Sequence, residues 1–153
     1  MISRLVSFAT LLLALSVPAI AQETDNLPSE VRASMAEARK TCDEPSKFES
    51  GFITRRDVNG DGVPDYILDL GKFTCGDNSS YFCGSGGCSV EVFASLPNGR
   101  FVKALDELVQ DIKFQTIRGR PAVLLSLQGS ACGKANAQTC RRTLFWNGKT
   151  FAR

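Results

Sequence analysis

The sequence predicts an α+β fold that is mostly β, in which an N-terminal helix is followed by an antiparallel β-meander of about seven strands. Apolar residues recur at helical spacing near residue 30, whereas short apolar runs separated by Gly, Pro and Asn fill most of the remaining chain. These runs do not alternate regularly with helices, which favours antiparallel pairing over βαβ units. Six cysteines in a short chain add the expectation of disulfide bonds between these elements.

The first 21 residues have the pattern of a secretory signal peptide. Arg4 supplies the positive region, residues 5–17 form a mostly apolar segment, and Ala19–Ala21 matches an A-x-A cleavage site. The apolar segment is too short to span a bilayer well, and no later run is long enough to do so. We therefore expect residues 1–21 to be removed, residues 22–153 to form a single β-rich domain, and the protein to be periplasmic or extracellular.

A helix is predicted over about residues 28–41. Pro28 suits the first helical position, where no backbone hydrogen bond is needed, and Glu30 in the first turn complements the helix dipole. Pro45 prevents the helix from continuing. The apolar residues that recur every three to four positions form its expected buried face, namely Val31, Met35, Ala38 and Cys42.

The predicted strands lie between turn signals. Their approximate ranges are 52–55, 65–70, 90–94, 100–104, 112–116, 122–127, 142–146 and 150–152. The continuous apolar run over 122–127 predicts a strand buried on both faces, and Asn147-Gly148 predicts a hairpin between the last two strands. Residues 105–110 keep helical spacing although strands flank them, so we expect a bend or one helical turn there.

The six cysteines predict disulfide bonds in an exported protein. Fifteen pairings are possible for six cysteines, and the connectivity stays open at this point. Proximity along the chain favours Cys132–Cys140, Cys83–Cys88 and Cys42–Cys75, the last of which would join the helix to the first hairpin. The sequence contains neither histidine nor paired C-x2-C motifs, which argues against a zinc site.

One stretch, Asp57–Asp65, has the pattern of a loop that binds calcium. Oxygen-bearing side chains occupy its first, third, fifth and ninth positions, glycine occupies the sixth, and the carbonyl of the seventh can supply a further ligand. The predicted ligands are Asp57, Asn59, Asp61, Val63 and Asp65. An EF-hand needs glutamate at position 12, where this sequence has Leu68, so that interpretation fails. The alternative is an ordinary turn, because Asp, Asn and Gly are common turn formers.

The D-x-N-x-D-G-x-x-D stretch resembles the calcium loops of the FG-GAP family, the repeats of integrin α-chain propellers, and those of related VCBS-type repeats. The resemblance covers about residues 52–70 and occurs once, and the Phe-Gly and Gly-Ala-Pro landmarks of the family are absent. It implies that the loop joins two strands and holds Ca²⁺ through the five residues named above. The neutral Asn59 and the adjacent Arg55 and Arg56 predict weak affinity, about 10⁻⁴–10⁻³ M, and therefore a structural ion.

Charge is unevenly distributed along the chain. Residues 22–111 contain 16 acidic and 9 basic side chains, whereas residues 112–153 contain 8 basic and no acidic ones. A basic face that includes Arg118, Arg120 and Arg142 is a candidate for binding an anionic envelope component or another envelope protein. The alternative is that the basic third balances the acidic part within one fold. We expect no nucleic-acid partner and no membrane span after cleavage.

The sequence does not predict an enzyme. It has no histidine, which excludes Ser-His-Asp and Cys-His arrangements, and its cysteines are expected to be oxidised. We therefore expect an exported, disulfide-bonded, calcium-stabilised, non-catalytic binding or structural protein of the cell envelope. One alternative is an inhibitor of a secreted enzyme. Another is a small hydrolase of an envelope polymer that uses carboxylates, for which the candidates are Glu91, Asp106, Glu107 and Asp111.

Overall fold

The structure is a computed structural model that describes residues 26–135 and 138–153. The predicted signal peptide, residues 1–21, lies outside the described residues. Within the described ranges, no helix is long and apolar enough to cross a membrane.

Helix α1 spans Ser29–Lys40, which confirms the predicted helix. Pro28 lies at its N-terminal boundary, as the sequence indicated, and Arg39 is one of two basic residues in its last turn. The buried residues of α1 are those that helical spacing predicted, namely Val31, Met35 and Ala38. This apolar face holds the helix against the first β-sheet.

Eleven strands follow α1 in the part of the chain that the structure describes, and each is antiparallel to its partners. They are β1 Ser46–Phe48, β2 Ile53–Arg56, β3 Asp65–Asp69, β4 Phe73–Cys75, β5 Cys83–Gly84, β6 Gly87–Ser95, β7 Phe101–Val109, β8 Asp111–Ile117, β9 Arg120–Gln128, β10 Thr139–Trp146 and β11 Phe151–Ala152. The mostly β fold class is confirmed. The predicted count of about seven is too low, because β1, β4 and β5 have only two or three residues and no recognisable periodicity.

The strands form two main sheets. The first has the order β2-β3-β6-β7, and the short β5 also pairs with β6. The second is the meander β8-β9-β10-β11, and β1 and β4 form a separate pair. The tight Asn147-Gly148 hairpin between β10 and β11 is confirmed, since Trp146 pairs with Phe151 across it.

Two hydrophobic clusters lie on opposite faces of the first sheet. The cluster beneath α1 includes the sheet residues Tyr66, Leu68 and Phe93 together with Phe73 of β4. The cluster between the two sheets includes Val90, Val92 and Ala94 from β6 and Val123, Leu125 and Leu127 from β9. Because successive side chains of a strand point to opposite faces, β6 contributes to both clusters. The first sheet is therefore the middle layer of three.

The predicted bend or helical turn at residues 105–110 is wrong. Strand β7 continues through Leu105 to Val109 and pairs with β6 over its whole length. The register shifts where Val92 pairs with Leu105 and the next β6 residue pairs with Lys103, which leaves Ala104 as an extra residue. The helical spacing within 105–110 has another origin, because Leu108 is an exposed apolar residue (45%) beside the buried Val109.

The prediction that the strand over 122–127 is buried on both faces holds for one face only. Val123, Leu125 and Leu127 are buried between the sheets, whereas Leu124 on the other face is only partly buried. An apolar run can therefore belong to a strand with one covered face. The outer face of the second sheet stays partly open.

The three disulfides favoured by proximity are confirmed. Cys42–Cys75 joins the segment after α1 to β4, and Cys83–Cys88 joins β5 to β6. Cys132–Cys140 links a short 3₁₀ helix to the start of β10. No free cysteine remains.

Candidate functional site

The Asp57–Asp65 stretch forms the loop between the antiparallel strands β2 and β3. Arg56 pairs with Asp65 at the base of the loop, so the predicted connection between two strands is present. Gly60 has a φ of +83°, and a side chain there would begin 3.0 Å from the Pro121 ring of β9. The loop thus contacts the second sheet as well as its own sheet.

Asp65 anchors the loop from inside the protein. Its side chain is fully buried, and its Oδ2 accepts hydrogen bonds from the backbone N–H groups of Val58 (2.8 Å) and Asn59 (3.2 Å). Its Oδ1 accepts from the Ser95 N–H (2.7 Å) and lies 2.8 Å from the Ser95 hydroxyl. A carboxylate offers about four lone-pair sites, so these four contacts use the capacity of Asp65.

Asp57 and Asn59 stabilise the turn itself. Asp57 Oδ1 accepts from the Gly60 N–H (2.7 Å), and its Oδ2 accepts from the Gly62 N–H (2.9 Å). Asn59 Oδ1 accepts from the Asp61 N–H (3.0 Å). Asp and Asn form such local bonds in turns that bind no ion. The observed bonds are therefore those expected if the loop is an ordinary turn.

Asp61 and Asp65 compete for one hydroxyl group. Ser95 Oγ lies 2.8 Å from Asp61 Oδ2 and 2.8 Å from Asp65 Oδ1, yet a hydroxyl has a single proton to donate. Burial acts to raise the pKa of Asp61, but hydrogen bonds from the Val63 N–H, Ser95 and Asn59 outweigh it and hold that pKa below its ordinary value. Both carboxyl groups thus face one shared donor, and the Asp61 carboxylate is the favoured form.

The loop offers part of what calcium requires. Among the described residues, none of the three aspartates forms an ion pair. Asp57 and Asp61 are exposed, and Val63 is 47% exposed, so their oxygens are available to an ion from solvent. Asp65 has no such freedom, because a cation would have to displace one of its four donors. In the described ranges, no three acidic, Cys or His side chains already converge on one point as metal ligands.

Ser95 is the contributor that the sequence did not reveal. It ends β6, is 4% exposed, and accepts a hydrogen bond from Asn59 Nδ2 through its carbonyl oxygen (2.9 Å). It lies 30 residues from Asp65 in the chain, and no motif connects the two. Only the pairing of β3 with β6 brings them together.

The three arginines of the predicted basic face do not share a surface. Arg142 lies on the face of β10 that points towards the first sheet, where it pairs with Glu107 (3.6 Å) and donates to the Ala131 carbonyl (2.9 Å). Arg120 is exposed on the opposite face and lies over the Phe145 ring. Arg118 is in the turn between β8 and β9. Arg142 pairs with Leu125, which faces the first sheet, whereas Arg120 lies an odd number of residues from Leu125 along β9 and therefore faces the other side.

The four carboxylates considered for hydrolysis are each in an ion pair. Glu91 and Asp106 both bind Lys103, at 2.7 and 3.1 Å, and Glu91 also accepts a hydrogen bond from Ser34 of α1. Burial acts to lower the pKa of Lys103, but its bonds to both carboxylates outweigh this and raise it. The remaining two pairs are Glu107 with Arg142 and Asp111 with Lys113. Glu91 thus joins β6 to β7 and to α1, and Glu107 joins β7 to β10, whereas the pairs of Asp106 and Asp111 lie within single strands.

Comparison of the chain with protein-family models, with curated proteins and with solved structures found no match. The resemblance to FG-GAP loops therefore depends on the residues of the loop alone.

Proposed function

We propose that this chain is an exported, calcium-stabilised, non-catalytic binding or structural protein of the cell envelope. Its three disulfides are typical of proteins in an oxidising compartment, which supports export by the predicted signal peptide. The ion pairs of the four candidate carboxylates favour a structural role for them over hydrolysis. No particular observation favours the inhibitor alternative.

The observation that carries the calcium proposal is the hydroxyl of Ser95, shared by two carboxylates. One proton cannot serve both Asp61 and Asp65 at once, so two carboxylates converge on one hydroxyl and one of them keeps only its other donors. Ca²⁺ prefers carboxylate and carbonyl oxygens and would supply a positive charge there. The groups that would hold the ion are Asp57, Asn59, Asp61 and the Val63 carbonyl. Asp65 would either stabilise the loop through its hydrogen bonds or become a ligand after exchanging one of them.

The experiment is a thermal unfolding series of the disulfide-bonded protein in EDTA and in increasing calcium. With a dissociation constant of about 10⁻⁴–10⁻³ M, about 10 mM Ca²⁺ adds about 1.4–2.7 kcal/mol to the free energy of unfolding, because only the folded state binds the ion. This corresponds to a rise in Tm of about 4–10 °C. The Asp61→Asn variant is expected to lose most of this rise.

The matched control is Asp77→Asn, which removes an exposed aspartate outside the loop. It is expected to keep the calcium response of the unchanged protein. Magnesium at the same concentration is expected to give a smaller rise, because it demands a tighter octahedral site and dehydrates reluctantly. If Tm is the same in EDTA and in calcium, the loop is an ordinary turn and the calcium proposal fails.

A further inference from the structure

The N-terminal half of the fold contains a free strand edge. β1 and β2 follow each other along the chain and pair with β4 and β3 in the same antiparallel register. A turn at Ser50 and Gly51 and, on the partner side, a 3₁₀ helix over Leu70–Lys72 separate the two pairs. Because the register is the same, the two pairs form a single bent β-ribbon. Among the described residues, neither β1 nor β2 has a strand partner on its other side.

Backbone groups of this free edge point into a groove. Glu49 N–H donates to Lys72 O (2.8 Å) and Asp69 N–H donates to Phe52 O (2.9 Å), which identifies the positions where the ribbon pairs internally. In an antiparallel pair, those positions alternate with positions whose N–H and C=O groups face outwards. The outward residues are Ser46, Phe48, Ile53 and Arg55, and all four line a groove of about 820 Å³.

Two arginines give the groove a positive charge. Arg39 and Arg55 each lie over an aromatic ring, with 4.6 and 5.3 Å between the guanidinium carbon and the ring centroid. Neither forms an ion pair with a described residue, whereas the third basic residue of the groove, Lys47, pairs with Glu49. Stacking holds the guanidinium groups without neutralising them, so the groove favours a negatively charged ligand.

The hydroxyl of Tyr66 adds a polar contact in the same groove. Tyr66 as a whole is only 6% exposed and lines the groove, and its hydroxyl has no hydrogen-bond partner in the part of the chain that the structure describes. The oxygen atom itself is not buried, so a ligand that accepts its hydrogen bond would take the place of water there. The groove also has apolar walls, from Leu27, Met35, Phe48 and Phe52.

We propose that the groove binds an extended acidic peptide segment of a partner protein, which adds as a strand to the free edge of the β-ribbon. The outward N–H and C=O groups of Ile53 and Arg55 pair with the peptide backbone. Arg39 and Arg55 bind its carboxylates, and the Tyr66 hydroxyl donates to one of its oxygens. This inference rests on the proposed role as a binding protein, but it does not depend on calcium.

Charge decides between such a peptide and a second copy of this chain. Exposed strand edges can pair with copies of themselves, and charged side chains along the edge oppose this. Two copies joined at β2 would bring their unpaired Arg39 and Arg55 side chains close together, which like-charge repulsion disfavours. An acidic peptide meets the same edge with complementary charge.

The test uses a fluorescent, end-blocked peptide that alternates valine and glutamate, titrated against the protein by anisotropy. Saturable binding is expected, and a peptide with lysine in place of glutamate is expected not to bind. Arg55→Gln and Arg39→Gln should each weaken binding about tenfold, and Tyr66→Phe about threefold, as expected for loss of one charged or one neutral hydrogen bond. The matched control is Arg118→Gln, an exposed arginine in the turn between β8 and β9, which should leave the affinity unchanged.

Two further measurements test the binding mode. Peptides N-methylated on all valines or on all glutamates cannot donate at those positions, so one of the two should lose at least tenfold in affinity. Arg55→Glu should reverse the preference and bind the lysine peptide. Equal binding of both methylated peptides, or no binding of the acidic peptide, would overturn the proposal. If sedimentation shows a dimer, and Arg55→Glu changes its stability, the occupant of the edge is a second copy of the chain and not a peptide.

Running each titration in EDTA and in calcium separates this inference from the calcium proposal. Peptide binding in both buffers supports the groove whatever the Tm series shows. A calcium-dependent rise in Tm without peptide binding in either buffer would support the calcium proposal and contradict the proposal that the groove binds a peptide.

Discussion

Two polar loops of similar composition are held in different ways. The loop between β2 and β3 and the connection between β4 and β6 both contain Gly, Asp and Asn, and the second also contains Ser. In the first, the buried Asp65 carboxylate accepts hydrogen bonds from Val58, Asn59 and Ser95. In the second, two disulfides fix the ends, and Tyr81 and Phe82 pack against the Phe73 ring.

The difference shows that loop composition does not reveal how a loop is anchored. The carboxylate loop depends on hydrogen bonds to carboxylate oxygens, so we expect it to respond to pH and, under the calcium proposal, to Ca²⁺. The cysteine loop depends on covalent bonds and apolar packing, so it responds to reductants instead. Three substitutions separate these two modes, in order of decreasing effect.

Asp65→Ala is expected to have the largest effect. It leaves the buried N–H groups of Val58, Asn59 and Ser95 without an acceptor, and each unsatisfied buried donor costs about 1–3 kcal/mol. We expect a loss of about 3–5 kcal/mol in the free energy of unfolding, measured by urea denaturation in EDTA with the slope checked for constancy. The matched control Asp77→Ala, in the other loop, should change it by less than about 0.5 kcal/mol. Equal effects would show that Asp65 is not the anchor.

Replacing both Cys83 and Cys88 by alanine is expected to cost about 2 kcal/mol, because their disulfide closes only a short loop in the unfolded chain. The same urea titration measures this loss. The calcium-induced rise in Tm should survive in this variant, since the Asp57–Asp65 loop is anchored independently. Disappearance of the calcium response would instead show that the two loops are coupled through the first sheet.

Asp61→Asn has the smallest expected effect, and it is visible mainly in the pH dependence. The pKa of Asp61 is lower in the folded state than its ordinary value of 3.8, so the carboxylate stabilises the fold above that value and loses this contribution as pH falls through the lowered folded pKa. Because the side chain is exposed, the effect should be about 0.5 kcal/mol or less. In EDTA, the difference in unfolding free energy between the unchanged protein and the Asp61→Asn variant should shrink below about pH 4. A difference that stays constant from pH 6 to pH 3 would contradict this.

Local patterns predicted much of the fold. Helix α1, the Asn147-Gly148 hairpin and the disulfides Cys83–Cys88 and Cys132–Cys140 follow from residues close together in the chain, and Cys42–Cys75, which spans 33 residues, is the pair that then remains. The errors arise where the local signal is weak or misleading. Strands of two or three residues have no period to detect, and the exposed apolar Leu108 beside the buried Val109 imitates helical spacing within β7.

The candidate loop was predicted in part. Its four oxygen-bearing side chains and its place between two strands follow from the sequence. The roles of those side chains do not, because the donors that occupy Asp65 include Ser95 of a distant strand. The sequence likewise did not predict that the Arg142 side chain faces the first sheet, because the inward face of β10 depends on its register with β9.

Residues close together in the chain specify the local elements: a helix with one apolar face, strands between turn residues, cysteine pairs and an oxygen-rich loop. Short-range sterics and periodicity decide these, so neighbouring residues suffice to predict them. Long-range packing, in contrast, decides which carboxylate is buried, that Ser95 contacts two carboxylates, and that the free edge of β1 and β2 lines a groove beside Arg39. Strand pairing and sheet packing join residues far apart in the chain, and that juxtaposition is what gives Asp65 and Tyr66 their surroundings.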